Sequence, residues 1–152
     1  MTVTGLAIRL RFRVSLWMRA RLLPLLVRRR PFQHVLGLAA YRGPPIFRGL
    51  GAAYICQRVQ GTTKLPILMR DRRCLREGLL GHYFLQAAGF QPQLRFGVDR
   101  ATLSRRKVKA HCWVCLDARP VLNDRTEGLV EVFAFPPDRP TWSGAQGDLQ
   151  QL

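Results

Sequence analysis

Cys74 and His111 are the two side chains of this chain with the most chemical promise. A cysteine becomes a nucleophile only as a thiolate, and a helix N-terminus lowers its pKa because unpaired N–H groups and the helix dipole favour negative charge there. Cys74 opens a segment in which apolar residues at 75, 79, 80, 83, 84 and 87 step mostly by three and four, the stripe of a helix. Gly89 is a natural C-cap and Gln91-Pro92 bars continuation. Arg72 and Arg73 add positive charge just ahead of the thiol. A base is still required. His111 lies in Val108 to Asp117, an alternating strand with Val108, Ala110, Cys112, Val114 and Leu116 on one face and Lys109, His111, Trp113, Cys115 and Asp117 on the other. After a turn at Asp117-Ala118-Arg119-Pro120 comes a return strand from Val121-Leu122, which carries Asn123 and Asp124 back towards His111. One of the two can lie beside the ring, and an Asp124 carboxylate would accept the second ring N–H and fix the tautomer. Asp117 shares the His111 face but stands about 20 Å away along an extended strand at ~3.3 Å per residue, out of reach unless the chain bends. Each residue alone has a plainer account, since a cysteine at a helix start is more often a small buried side chain. The combination and its order carry the expectation.

These residues need elements to hold them. Leu6 to Val27 reads as a helix broken or kinked near Pro24, ended by Arg28-Arg29-Arg30-Pro31. Pro31 to Gly51 contains Gly43-Pro44-Pro45, a loop signal. Leu50 to Val59 forms a second helix, closed by Gly61-Thr62-Thr63. After the Cys74 helix, Gln93 to Val98 alternates with Leu94, Phe96 and Val98 on one face, and Val130 to Phe135 is a last strand. Helices followed by antiparallel strands give an α+β class. The expected organisation is a basic helical region over 1–65, a core over 66–136 and a frayed tail over 137–152.

The 152 residues carry a net charge of +16. Residues 1–70 hold 13 Arg or Lys and no acid, whereas from residue 71 onward 12 bases face 9 acids. Such a block favours an acidic partner: nucleic acid, an anionic membrane surface, or an acidic protein or peptide. No helix-turn-helix, zinc-finger or single-strand-binding motif accompanies it, so specific nucleic-acid recognition is not expected. The most apolar stretch, Val14 to Val27, contains Arg19, Arg21 and Pro24 and does not read as a membrane span. Arg19 and Arg21 also interrupt a secretory signal, and the acid-free stretch is too long for a transit peptide. A cytoplasmic location with reduced thiols is expected. The four cysteines form no disulfide framework. Cys112-Trp113-Val114-Cys115 matches C-x-x-C, but in a strand those thiols point to opposite faces, and zinc would need two further ligands, for which His34 and His82 lack supporting spacing. No metal or cofactor is expected.

Taken in order, Cys74-Leu75 opening an apolar helix, Gly89 closing it, Leu94-Arg95-Phe96-Gly97-Val98, Ala110-His111-Cys112-Trp113-Val114 and Leu122-Asn123-Asp124 resemble the leader peptidases of lasso-peptide biosynthesis. Those microcin-processing proteins belong to the transglutaminase-like superfamily of cysteine proteases, and the resemblance covers roughly 70–135. It implies a nucleophile at the start of a core helix packed on an antiparallel sheet. It implies Cys74 as nucleophile, His111 as base and Asp124 as orienting acid. Two departures stand out: Cys112 replaces the usual Ala after the His, and the Asp lies one residue further along, which leaves Asn123 or Asp117 as other third members. The implied reaction removes the leader from a lasso-peptide precursor in a bacterial cytoplasm. The implied partners are the precursor's leader, a separate leader-recognition protein and, as a candidate third, the macrolactam-forming cyclase. The competing expectations are a basic nucleic-acid- or protein-binding scaffold with an inert Cys74, and acyl transfer to an amine instead of water.

Overall fold

A computed structural model describes residues 3–64, 72–106 and 108–137. The expected boundary at residue 65 and the tail beyond residue 137 lie outside the described residues. Helix α1 spans Val3–Val27, and its buried stripe is Phe12, Leu16, Ala20, Leu23 and Val27. Of the break or kink expected near Pro24, the break is absent, since one helix runs through it. Proline has no N–H, so the carbonyl four residues back loses its helical donor. That carbonyl, Ala20 O, instead accepts a hydrogen bond from the buried guanidinium of Arg76 at 2.6 Å. A side chain from elsewhere in the fold therefore replaces the missing rung, and the helix continues to Val27.

Helix α2, Phe32–Ala39, fills a stretch whose Gly-Pro-Pro signal pointed to loop, and buries Val35, Leu36 and Ala39. Helix α3, Ala52–Thr63, runs through Gly61-Thr62-Thr63 and does not stop before them. The two threonine hydroxyls make this possible by bonding back to carbonyls of their own helix, Thr62 to Arg58 at 2.8 Å and Thr63 to Val59 at 3.1 Å. Helix α4, Arg73–Ala87, is central and almost wholly buried from Arg76 to Leu85. It ends as the sequence implied: Gly89 takes φ +96°, Gly89 N–H donates to Gln86 O at 2.9 Å and Phe90 N–H to Leu85 O at 3.0 Å. This is a Schellman cap.

Four strands follow: β1 Gln93–Asp99, β2 Ala110–Leu116, β3 Arg119–Leu122 and β4 Leu129–Phe135. They form one antiparallel sheet in the order β3-β2-β1-β4. The turn between β2 and β3 is shorter than expected. Asp117 and Ala118 both have positive φ, 48° and 62°, which makes a two-residue hairpin, and Arg119 and Pro120 already belong to β3. Strand β1 departs from strict alternation: a register shift against β4 at Phe96/Gly97 buries Leu94 and Gly97 in place of a regular Leu94, Phe96, Val98 face.

Helix α4 lies between the sheet and the first three helices. Phe12 of α1 meets Phe84 of α4 edge-on at 5.2 Å and Phe47 at 5.5 Å. Buried residues from α1, α2 and α3 thus share one core with α4 and with Leu94, Cys112, Val114 and Leu122 of the sheet. The α+β arrangement, helices first and a sheet after, is the one expected from the sequence.

Candidate active site

Cys74 is the second residue of α4, behind Arg72 at the N-cap, which provides no side-chain cap. The first N–H groups of an α-helix have no partner within it, and that end of the helix favours negative charge. The face that Cys74 shares with Gly78 and Gly81 packs on the sheet. A Cβ at Gly78 would stand 3.0 Å from Cys112 Sγ and 2.8 Å from a Leu94 methyl, and one at Gly81 would stand 3.2 Å from a Leu122 methyl. The two glycines let helix and sheet approach closely, and this puts the start of α4 against β2.

Cys74 there meets two consecutive residues of β2. Its sulfur is hydrogen-bonded to the Cys112 thiol and to His111. The Cys74 thiol is brought down from 9.0 to about 4, chiefly by the Cys112 hydrogen bond; burial opposes this and His111 reinforces it. His111 moves the other way, above its ordinary 6.5, first because of its bond to Cys74. Both shifts describe one thiolate–imidazolium pair. Cys112 is pushed strongly upward by the same contact, so it stays a thiol and donates.

The far side of the ring is held by main chain. His111 Nε2 lies 3.2 Å from the carbonyl oxygen of Asn123. A carbonyl only accepts, so Nε2 carries the hydrogen and Nδ1 remains for the sulfur. Asn123 sits at φ +59°, a left-handed conformation that Asn tolerates better than most residues. Its Nδ2 donates to Cys74 O and to Cys112 O, each at 3.1 Å, so one side-chain amide ties the helix start to β2. Trp113 stacks beside His111 with ring centroids 6.4 Å apart.

The structure brings Cys74, His111 and Asn123 together. Asp124 is exposed, and among the described residues its carboxylate has no hydrogen bond or ion pair. Asp117 is taken up by the hairpin turn. Sequence reading missed the part played by Cys112, which it noted only in a C-x-x-C match and in place of the usual Ala, and missed Gly78 and Gly81. The glycines did leave a signal, since they follow Cys74 at the four- and seven-residue steps of one helix face.

Among the described residues no group of three or more His, Cys, Asp or Glu is placed to hold a metal. All four cysteines are free. Cys56 is raised to about 11 by burial, and burial also raises Cys115. His82, considered as a ligand, is buried in the core with Nδ1 donating to Ala39 O at 2.8 Å, and burial lowers its pKa so that it is neutral.

A family model described as the transglutaminase-like superfamily matches residues 6–134. The chain belongs to the transglutaminase-like superfamily. The matched span takes in the three N-terminal helices as well as α4 and the sheet. The superfamily includes cysteine peptidases. No curated protein and no solved structure matches this transglutaminase-like chain. Among its described residues no helix, α1 included, is long and apolar enough to cross a membrane.

Proposed function

We propose that this protein is a cysteine peptidase that removes the leader from a lasso-peptide precursor, presented to it by a separate leader-recognition protein. The observation that carries the chemical half is the Cys74 thiolate at a helix start, paired with His111. The resemblance of the motif blocks between Cys74 and Asp124 supports the substrate half.

The Cys74 sulfur adds to the carbonyl carbon at the leader–core junction, and its charge passes to the carbonyl oxygen. N–H groups at the start of α4 serve as the donors to that developing charge in this proposal. His111 gives its Nδ1 proton to the leaving amine as the C–N bond breaks, leaving a thioester on Cys74 and a free amine on the core peptide. Neutral His111 then takes a proton from water, which attacks the thioester and restores the thiolate–imidazolium pair. The Asn123 carbonyl keeps Nε2–H engaged throughout, so the ring presents the same nitrogen in both halves of the cycle. The Asn123 amide holds the two cysteine carbonyls in place. In this reading Asp124 is not the orienting group.

Mass spectrometry of the precursor incubated with the leader-recognition protein and this enzyme tests the reading. Wild type releases leader and core. Cys74→Ala releases neither, His111→Ala is slower by about 10²–10⁴-fold, and Asp124→Asn keeps most of the activity. Cleavage by Cys74→Ala would sink the peptidase assignment. A loss with Asp124→Asn as deep as that with His111→Ala would return the third role to the carboxylate. No cleavage by wild type in the presence of the leader-recognition protein would leave an inert scaffold.

A further inference from the structure

The positive charge of the first half has a shape. Helices α1 and α3 leave between them a groove of about 700 Å³. Arg13 and Trp17 of α1, Gln57, Arg58 and Gly61 of α3, and Lys64 just past its end line it. Among the described residues, three cations and no acid line the groove. Residues 1–70 contain no carboxylate, and the ion pairs among the described residues, Arg73–Glu77 and Arg95–Glu131, involve none of the lining residues. The apolar wall is Trp17, 54 % exposed, with the Arg21 guanidinium 4.5 Å from its ring centroid. Leu6 and Leu10, 64 % and 62 % exposed, lie on the same helical stripe as Arg13 and Trp17.

Gly61 adds an independent observation. Glycine inside a helix costs about 1 kcal/mol relative to alanine. Neither packing nor backbone accounts for it here: a Cβ at this position would meet nothing within 4 Å, and φ is not positive. The absent side chain leaves open space, and that space is the groove floor.

We propose that this groove docks an acidic, amphipathic peptide segment of a separate protein. Its carboxylates lie on Arg13, Arg58 and Lys64, and an apolar side chain lies on Trp17 above Gly61. A nucleic-acid strand uses a succession of aromatic platforms, and this groove offers one ring. The Lys64 end adjoins Thr63, whose hydroxyl donates to Glu77 at 2.7 Å, and the same carboxylate accepts from Arg73 at 2.8 Å. A docked segment thus leaves the groove beside the first turn of α4. The proposal concerns binding and stands or falls apart from the chemistry of Cys74.

Fluorescence anisotropy of a labelled helix-forming peptide of Glu and Leu, titrated with the full chain, tests it. Gly61→Leu fills the groove with no change of charge, and it replaces glycine with a better helix former, so the fold is kept. It weakens binding by about tenfold or more, which corresponds to 1.4 kcal/mol. The triple variant Arg13→Ala, Arg58→Ala, Lys64→Ala does the same. The charge-matched triple Arg105→Ala, Arg106→Ala, Arg125→Ala, none of which lines the groove, binds within about threefold of wild type, the small effect expected of screened charges. Equal losses from the two triples, or wild-type binding by Gly61→Leu, would overturn the proposal. So would single-stranded DNA or anionic phospholipid vesicles that compete as well as the peptide and lose binding on Gly61→Leu, because the ligand would then be a phosphate.

Discussion

The charge state of Cys74 is set by its neighbours. A hydrogen bond from Cys112 and another from His111 outweigh the penalty of burial and bring the thiol to about 4. The sign gives a pH profile. Above about 4 the sulfur is a thiolate and reactive, and below it the thiolate is protonated and lost. His111 is raised from 6.5, so the imidazolium that donates the proton persists past that pH and disappears as pH rises further. Alkylation of Cys74 by iodoacetamide, followed by mass, therefore shows an acid inflection near 4. In Cys112→Ala the inflection moves upward, because the largest stabilising contact is gone. A single inflection in wild type at the ordinary thiol value of 9.0 would remove the ion pair from this account. Cys74 and His111 were legible because helix and strand periodicity placed them at a helix start and in a strand. The contact of His111 with Asn123 was not, because it rests on a positive φ at Asn123 and on a main-chain carbonyl, neither of which a residue type announces.

Among the elements, α1 and α4 are coupled through a proline. Pro24 frees the Ala20 carbonyl and Arg76 occupies it. Losing a charged donor to a buried carbonyl costs about 1.5–3 kcal/mol. Urea unfolding of Arg76→Met, Pro24→Ala and the double variant gives the coupling. Arg76→Met destabilises the wild-type background, and it destabilises Pro24→Ala less, by about 1 kcal/mol, because alanine supplies the missing N–H. Additive effects would show that the bond contributes nothing. The same proline misled the sequence reading, since proline breaks an isolated helix and this helix is not isolated. Helix α2 was hidden by the turn residues downstream of it, and the extent of α3 depended on threonine back-bonds that look like turn chemistry on paper. The strands, the α4 cap and the α+β class were legible because each rests on local periodicity or on a glycine or proline at an element end.

On the scale of the whole molecule, the basic half and the half that carries Cys74 and His111 share a core. Phe12 packs edge-on against Phe47 and Phe84, and α4 is covered by helices on one side and by the sheet on the other. Removing residues 1–65 strips one of those layers from α4. A chain of residues 66–136 accordingly shows neither the near-ultraviolet circular dichroism of packed aromatics nor a cooperative melt, whereas the full chain shows both. A cooperative melt from the short chain would mean that the 1–65 region is a separable unit.

Burial of α4 between two layers has a consequence for the order in which the protein is made. The ribosome delivers Cys74 well before His111, Cys112 and Asn123, which together lower its pKa and tie down its carbonyl. Until the hairpin emerges and closes on α4, the thiol keeps the ordinary value of 9.0 and is mostly protonated in a neutral cell. The nascent chain is thus chemically quiet at Cys74, and the thiol's pKa falls only once β2 closes on α4.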